Sequence, residues 1–377
     1  MRERRQATTL TCSLIAVVVW LISAPGAWAD GETTLFPLSP ATHAVSITAN
    51  PEEGVWFSGA QVSSESNSLG GVVGQVENDG HVSEFVIPPN RSVGKIIEGT
   101  DGNLWFAESY QNRGTYPVAR IGRVSPAGEF REYPLGNHVG GVRSMAAGPD
   151  GNLWFTTTYL IHRHRHHAIG RITTSGTVTR FALPPHSQPG AIAAGPDGNL
   201  WFTERGRDEP GIGRITSFGQ VTHFPLRSRN RLPRSITVGP DQNLWFTEGY
   251  LTYPRHPQNR IGRITTSGAI TEFSVPGKSG TGAIAAGHAG SIWFTTRLGG
   301  PRVAIDSITT GGRVTRPTCL ESTCELVPNA LVVDHEGILW FAAGKEAWGY
   351  GGSSTFYANY LIAREARFVG KFSPPQS

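Results

Sequence analysis

The chain has 377 residues, 38% hydrophobic and 16% charged, with 47 glycines and 26 prolines. So small a charged fraction with so much glycine excludes a coiled coil, a helical bundle and a charge-rich disordered chain, and favours short strands joined by tight turns. The formal net charge is +4; without the three arginines and one glutamate of the first five residues it is +2 with no long Lys/Arg run, which removes electrostatic support for nucleic-acid or membrane-surface binding.

Residues 1–29 read as an export signal. Met1–Gln6 is basic, Leu14–Ile22 is an apolar run, and Ala27-Trp28-Ala29 has the small-x-small form of a cleavage site, with the cut expected after Ala29. A non-cleaved anchor is the alternative, although the run is short for a span. No other segment reads as a membrane span, so the mature chain, 30–377, is expected outside the cytoplasm, secreted or periplasmic. Cys12 leaves with the signal. Cys319 and Cys324 remain, and an even count in an exported chain predicts one disulfide closing a small loop, with two free thiols as the alternative.

The mature chain repeats. Trp-Phe recurs at Trp56, Trp105, Trp154, Trp201, Trp245, Trp293 and Trp340, with spacings of 49, 49, 47, 44, 48 and 47. A period in this range marks a solenoid, array or propeller. The fullest copy reads Ser235–Val238, then a Gly239-Pro-Asp241 turn, then Asn243–Glu248, Ile261–Ile264 and Ala269–Phe273. These are four β-branched or aromatic runs punctuated by turn residues, so each repeat is a four-stranded meander. The expectation is an all-β, seven-bladed propeller forming one domain over 30–377. Gly31–Leu38 matches a fourth strand, while the last repeat stops after Val369–Phe372; the N-terminal strand is therefore expected to complete the last blade and close the ring.

Within the repeats, each Trp and Phe is expected to wedge neighbouring blades together. Asp101, Asp150, Asp197 and Asp241 suit tight hairpins; calcium binding there is the weaker alternative, with one carboxylate per turn. Glu108, Glu204 and Glu248 end second strands and resemble catalytic acids. Their distribution instead suggests pairing within the blade to the Ile-Gly-Arg arginines, Arg123, Arg171, Arg214 and Arg263, with Gln75, Asp306 or Lys371 at that position in the other repeats.

Gly195-Pro-Asp-Gly-Asn-Leu-Trp-Phe-Thr-Glu204, Ile212-Gly-Arg-Ile-Thr216 and the Ile-Thr-Glu-Phe run at Phe273 resemble the virginiamycin B lyases, or streptogramin lyases, over essentially 31–372. The resemblance implies a seven-bladed propeller. It also implies a magnesium-dependent elimination that opens a depsipeptide antibiotic at a threonyl ester: a base removes the proton α to a carbonyl while metal and acid stabilise the leaving carboxylate. The family places this machinery at the mouth of the central channel. Its sixth-blade histidine falls here on Gly282, its seventh-blade Glu-Pro-His on Val327-Pro328-Asn329, its Glu after Trp-Phe on Ala343, and its tyrosine near Val45. No catalytic identity is retained, and no catalytic residue is assigned.

Eleven residues before each repeat Trp, the mouth position holds Val45, Gly94, Arg143, Gly190, Arg234, Gly282 and Asn329. Arg143 and Arg234 make that rim cationic and suited to a carboxylate or phosphate; two solvated arginines are the alternative. Three long loops are expected on the same face. One, 158–168, carries His162, His164, His166 and His167, whose alternate members could converge on a metal or form a solvated basic loop. The second, 249–258, carries Tyr250, Tyr253, Arg255 and His256. The third, 344–367, is rich in aromatics and reads as a lid, a partner surface or a self-packed loop. There is no nucleophile elbow, phosphate loop or His-Glu-x-x-His.

The expected function is a monomeric, exported binding module that takes a small molecule, glycan or protein at the mouth through Arg143, Arg234, Tyr250, His256 and Asn329. The alternative is a divergent carbon–oxygen lyase opening a cyclic depsipeptide or lactone, with magnesium as its cofactor. The two differ in whether a base and a metal site stand at the mouth.

Overall fold

The computed structural model describes residues 32–373 apart from 40–41, 53, 63–67, 88–90, 111–117, 137, 163, 186, 207, 251–258, 276–279, 289, 300–301, 316–325 and 346–364. The expected signal over 1–29, Cys319, Cys324, His256 and most of the expected lid over 344–367 lie outside the described residues. Every regular element among the described residues is a β-strand.

β1 (Glu32–Pro37) opens the described chain but joins its last sheet. The first blade is β2 (Thr42–Ala49), β3 (Val55–Val62), β4 (Ser68–Val76) and β5 (Val82–Val86). The second is β6 (Arg91–Glu98), β7 (Leu104–Tyr110), β8 (Val118–Val124) and β9 (Phe130–Pro134). The third is β10 (Val139–Ala147), β11 (Leu153–Ile161), β12 (His164–Ile172) and β13 (Val178–Ala182). The fourth is β14 (Pro189–Ala194), β15 (Leu200–Glu204), β16 (Gly211–Ile215) and β17 (Val221–Pro225), and the fifth is β18 (Arg231–Val238), β19 (Leu244–Tyr250), β20 (Asn259–Ile264) and β21 (Ile270–Val275). A smaller sheet follows, β22 (Thr281–Ala286), β23 (Ser291–Gly299) and β24 (Arg302–Thr309). The last blade is β25 (Leu326–Val333), β26 (Leu339–Lys345) and β27 (Glu365–Ser373), with β1 antiparallel to β27. First strands of successive sheets lie side by side, and β25 returns against β2.

The expected ring of seven four-stranded blades closed by the N-terminal strand is corrected. Among the described residues there are six four-stranded blades and one smaller three-stranded sheet, and β1 completes one of the six. Among the described residues the fourth segment of the small sheet makes one bridge, Ile308 to Val314, with the Thr315 N–H donating to the Ser307 carbonyl at 2.8 Å. The N–H of Ser307 donates to the Thr315 side-chain hydroxyl at 2.9 Å.

The Trp-Phe pair alternates across each second strand, so its two rings face opposite neighbours. Trp105 of the second blade packs with Phe155 of the third, Trp154 with Phe202, Trp201 with Phe246, Trp245 with Phe294, and Trp340 of the last blade with Phe57 of the first. Each such pair of fully buried rings contributes roughly 2–4 kcal/mol. The Phe ring lies over the glycine opposite it: at Gly213, an added Cβ would sit 2.2 Å from Cζ of Phe202. That close approach requires the glycine of Ile-Gly-Arg.

The buried indole N–H finds its acceptor in the preceding turn. Trp105, Trp154, Trp201 and Trp245 donate to Asp101, Asp150, Asp197 and Asp241, each at 2.9 Å. The second oxygen of each carboxylate accepts from Asn103, Asn152, Asn199 or Asn243 at 2.8 Å. The Ile-Gly-Arg guanidinium sits 3.7–3.8 Å from the same oxygen and 5.4–5.8 Å from the indole. In the last blade the acceptor moves two residues upstream, to Asp334, at 2.7 Å from Trp340 Nε1. These aspartates are therefore indole acceptors.

This corrects the expected Arg–Glu pairing. The ladder sets Arg123 opposite Trp105 and Arg120 opposite Glu108, so the Ile-Gly-Arg arginine and the glutamate stand at different ends of the hairpin. The same ladder pairs Trp293 with Ser307, which moves Asp306 out of the arginine position and into the glycine position, opposite Phe294.

Two stability effects follow. Asp197→Ala leaves the indole N–H of fully buried Trp201 without its acceptor and is expected to cost about 1–3 kcal/mol in urea unfolding; an unchanged midpoint would show that this bond is not what holds the ring. Burial pushes the Asp306 carboxyl up to about 6, with the Thr296 hydroxyl opposing it. The folded state then holds this proton more tightly than the unfolded chain. The contribution is fully present below pH 3.8 and is lost as pH rises through about 6, a difference of about 3 kcal/mol. Asp306→Asn should raise the Tm at pH 8 relative to the parent and flatten the fall between pH 4 and 7; an undiminished fall would assign it to another group.

Candidate functional site

The mouth is built by a repeated backbone irregularity. In each first strand the ladder slips at the mouth position: between Ala44 and Ser46, Val93 and Ile96, Val142 and Ser144, Pro189 and Ile192, Pro233 and Ile236, Thr281 and Ile284, and Pro328 and Ala330. A bulge releases a residue from pairing and re-aims it. Pro189, Pro233 and Pro328 favour the slip because they bring no N–H. Val45, Arg143 and Asn329 stand alone in their bulges; Gly94, Gly190, Arg234 and Gly282 each share one with the next residue.

The bulges free backbone carbonyls, and hydroxyls two residues after the repeat Trp capture them. Thr156 donates to the Gly190 carbonyl at 2.7 Å and Thr247 to the Gly282 carbonyl at 2.8 Å, each across a sheet boundary. Ser58 does the same to Gly94, and Thr203, more distantly, to Arg234. Asn329 Nδ2 donates to the Ala44 carbonyl at 3.4 Å, joining the last blade to the first.

Arg234 has company that sequence reasoning missed. Its guanidinium lies across Gly249 of the second strand; an added Cβ there would fall 2.0 Å from Nε. The Arg205 side chain, just past the end of β15, lies beside Gly190 of the first strand of the fourth blade. Burial, then the charges of Arg205 and Arg297, pull the Arg234 guanidinium down to about 10, so it remains a cation at neutral pH. Arg205 and Arg297 stand four residues after their repeat Trp, a position as regular as the one that revealed Arg143 and Arg234. Arg143 itself lies beside His167, whose pKa falls through burial first and then the charges of Arg165, Arg143 and His166.

The other expected site residues are dispersed. Tyr250 is half-buried at the end of β19, with the Arg231 guanidinium 4.9 Å from its ring and within 3.4 Å of its hydroxyl. The expected histidine loop is corrected: β11 and β12 run on into it and turn at His162, which has φ 49°. Pairing sets His166 opposite Tyr159, 5.5 Å between rings, and His167 opposite Thr158. Among the described residues no group of three or more His, Cys, Asp or Glu is placed to hold a metal. A recess of about 300 Å³ beside this hairpin is lined by Tyr159, Leu160, Ile161, Arg180 and Ala182, apart from the expected mouth residues.

The three buried glutamates belong to polar rows across their blades. Glu108 faces Arg91 at 3.3 Å, and Glu132 bridges Arg91 and Arg120. Glu248 repeats this with Arg231, Arg260 and Glu272; burial, then the Glu272 charge, pushes its carboxyl up to about 7. In the fourth blade the arginines are absent. Glu204 instead accepts from Ser187 and pairs with His223, whose pKa its hydrogen bond raises. These rows are internal ion-pair networks.

The model of the virginiamycin B lyase family matches residues 114–350, more than half of the chain. Among solved structures, a streptogramin B lyase is 28% identical, with a TM-score of 0.69 and 93% of this chain and 100% of that one covered. A catalytically inactive histidine-to-alanine variant of virginiamycin B lyase from Staphylococcus aureus, with quinupristin, is 27% identical, with a TM-score of 0.69 and coverage of 91% and 99%. A puromycin hydrolase variant at 13% identity and a TM-score of 0.54, covering 84% of this chain and 57% of that one, shares the fold alone. No curated protein matches.

Proposed function

The chain belongs to the virginiamycin B lyase family, and on that premise we propose that it is an exported ligand-binding propeller that keeps the family scaffold without the family's elimination reaction. One observation carries this reading. The mouth positions that the resemblance assigns to proton transfer hold Gly282, Asn329 and Ala343. Gly282 offers a carbonyl already taken by Thr247, the Asn329 amide donates to Ala44, and Ala343 is fully buried. Elimination α to a carbonyl needs a base within hydrogen-bond reach of the proton, and an amide cannot serve near neutral pH. Nor does the donor set at the described mouth fit magnesium, which takes carboxylate and water oxygens: the ionisable groups in the bulges there are basic, Lys95, Arg143 and Arg234.

The second reading is a divergent lyase with a base outside these positions. It is favoured by the 28% identity to a streptogramin B lyase across that protein's whole length. The proposal extends to removal of residues 1–29 and to a disulfide between Cys319 and Cys324.

Purified protein incubated with quinupristin, with and without magnesium, then followed by liquid chromatography and mass detection, separates the readings. Unaltered antibiotic is expected. A product of unchanged mass and new retention that depends on magnesium would overturn the proposal in favour of the lyase; a product heavier by one water would make the chain a hydrolase. Intact mass of protein recovered from outside the cytoplasm is expected to begin at Asp30 and to be two hydrogens lighter than the reduced chain. A chain retaining residues 1–29, or one with both thiols alkylatable, would overturn that part.

A further inference from the structure

The chain has 29 arginines and four lysines, Lys95, Lys278, Lys345 and Lys371. One of the four, Lys95, shares the mouth bulge of β6 with Gly94, on the inner strand of the second blade. It stands ten residues before its repeat Trp, where the other six repeats hold Ser46, Ser144, Ala191, Ser235, Ala283 and Ala330. That position faces the next sheet across a narrow gap. The Ser46 hydroxyl accepts from the Ile96 N–H of the second blade at 3.3 Å, and the Ser144 hydroxyl from the Ile192 N–H of the fourth at 3.2 Å. A lysine stem is too long for a gap that a serine hydroxyl spans. The polar company of the equivalent positions is missing too. Ala191, Ser235 and Ala283 lie opposite the hydroxyls of Thr203, Thr247 and Thr295, which accept their backbone N–H groups. The second blade has Ala107 there, and a Cβ added to Gly94 would meet Ala107, at 3.6 Å. Lys95 is half-buried, and among the described residues its side chain makes no hydrogen bond or ion pair.

An arginine at this point would stay protonated, whereas a lysine can lose its proton and become a nucleophile. Burial, with no anion to oppose it, pulls the Lys95 ammonium below the ordinary lysine range. An amine sunk in the protein, still reached by solvent and engaged by no other side chain, has the setting of one that attacks carbonyls. We infer that Lys95 presents its amine to the channel and captures an aldehyde or ketone there as an imine. The nitrogen lone pair adds to the carbonyl carbon. The carbonyl oxygen then leaves as water with both amine hydrogens as the C=N bond forms, and nothing is oxidised or reduced. This rests on the proposed reading of the mouth as a binding site, and adds the chemistry by which a ligand is held.

Reductive alkylation of the full mature chain with propanal and sodium cyanoborohydride at pH 7, followed by digestion and peptide mass mapping, tests it. Reduction fixes each imine as a propylated amine, and the amino terminus, with a pKa of about 8, is the internal standard. Lys95 is expected to be alkylated at least about tenfold faster than Lys278, Lys345 and Lys371, the ratio that a pKa lower by about one would give. Followed as pH is raised, its rate should level off at a lower pH than theirs. Lys95→Arg keeps the charge and should lose that one label; should the variant misfold, the comparison among the four lysines of the parent carries the test. Lys95 alkylated no faster than the other three, or levelling off at the same pH, overturns the inference. Incubation with quinupristin separates the two levels. A fast Lys95 in a chain that converts the antibiotic keeps the reactive amine and overturns the reading of the mouth as a site without the lyase reaction. A slow Lys95 in a chain that leaves the antibiotic unaltered overturns the amine alone.

Discussion

A buried indole must satisfy its N–H, and the ring is organised around that requirement. Five of the seven repeat tryptophans are fully buried, and each of the five donates to an aspartate of the turn just before it. The carboxylate also gathers an asparagine and an arginine in four of these corners, so one group fixes the turn, the ring plane and the third strand together. An unpaired buried donor would forfeit about 1–3 kcal/mol per corner, comparable to what the ring's packing contributes. The exceptions agree with the rule. The first blade has Glu52 and the small sheet has Ala289 in the aspartate position, and Trp56 and Trp293 are only half-buried. The small sheet, whose sequence has no aspartate four residues before its Trp, also carries the buried Asp306 and, among the described residues, has three strands.

With the outer corners fixed, the inner strands accommodate the crowding around the channel by slipping register at one repeated point. The slip frees a carbonyl toward the neighbouring sheet and re-aims a side chain in the same step. The carbonyl is claimed by a Ser or Thr hydroxyl, which is scaffold chemistry; the side chain is left to vary. Glycine, valine, asparagine and arginine therefore all occur at equivalent positions without disturbing the ring.

Much of this was legible in the sequence, and what was not has physical causes. The Trp-Phe period exposes strand number and order because a buried aromatic pair must recur once per sheet. The mouth arginines Arg143 and Arg234 were visible by the same count. Arg205 and Arg297 were equally regular but stand just past the end of β15 and on β23, and only the pairing of β14 with β15 and of β22 with β23 brings them near the first strands. The aspartate's role was hidden because a turn aspartate and an indole acceptor look alike until the indole is known to be buried. The Arg–Glu pairing was misassigned because register, not composition, decides which residues face each other: Arg123 meets Trp105, and Arg120 meets Glu108. The small sheet differs from the expected blade because, among the described residues, its fourth segment makes only the bridge of Ile308 with Val314, which a list of β-branched residues does not reveal. The histidine run is absorbed into a hairpin because Leu160 and Ile161 extend β11 beyond the shared repeat.

Charge arrangement distinguishes the two kinds of polar cluster in this molecule. In the second and fifth blades, arginines and glutamates alternate across four strands, and each buried charge has an opposite neighbour within its own sheet. Such rows return part of their desolvation cost within the sheet, although burial still raises the Glu108 and Glu248 carboxyls. At the mouth the bulges instead release side chains from the ladder, Arg143 and Arg234 among them, and glycine, valine or asparagine serves at the equivalent positions elsewhere, so these positions can carry chemistry that strand pairing does not require.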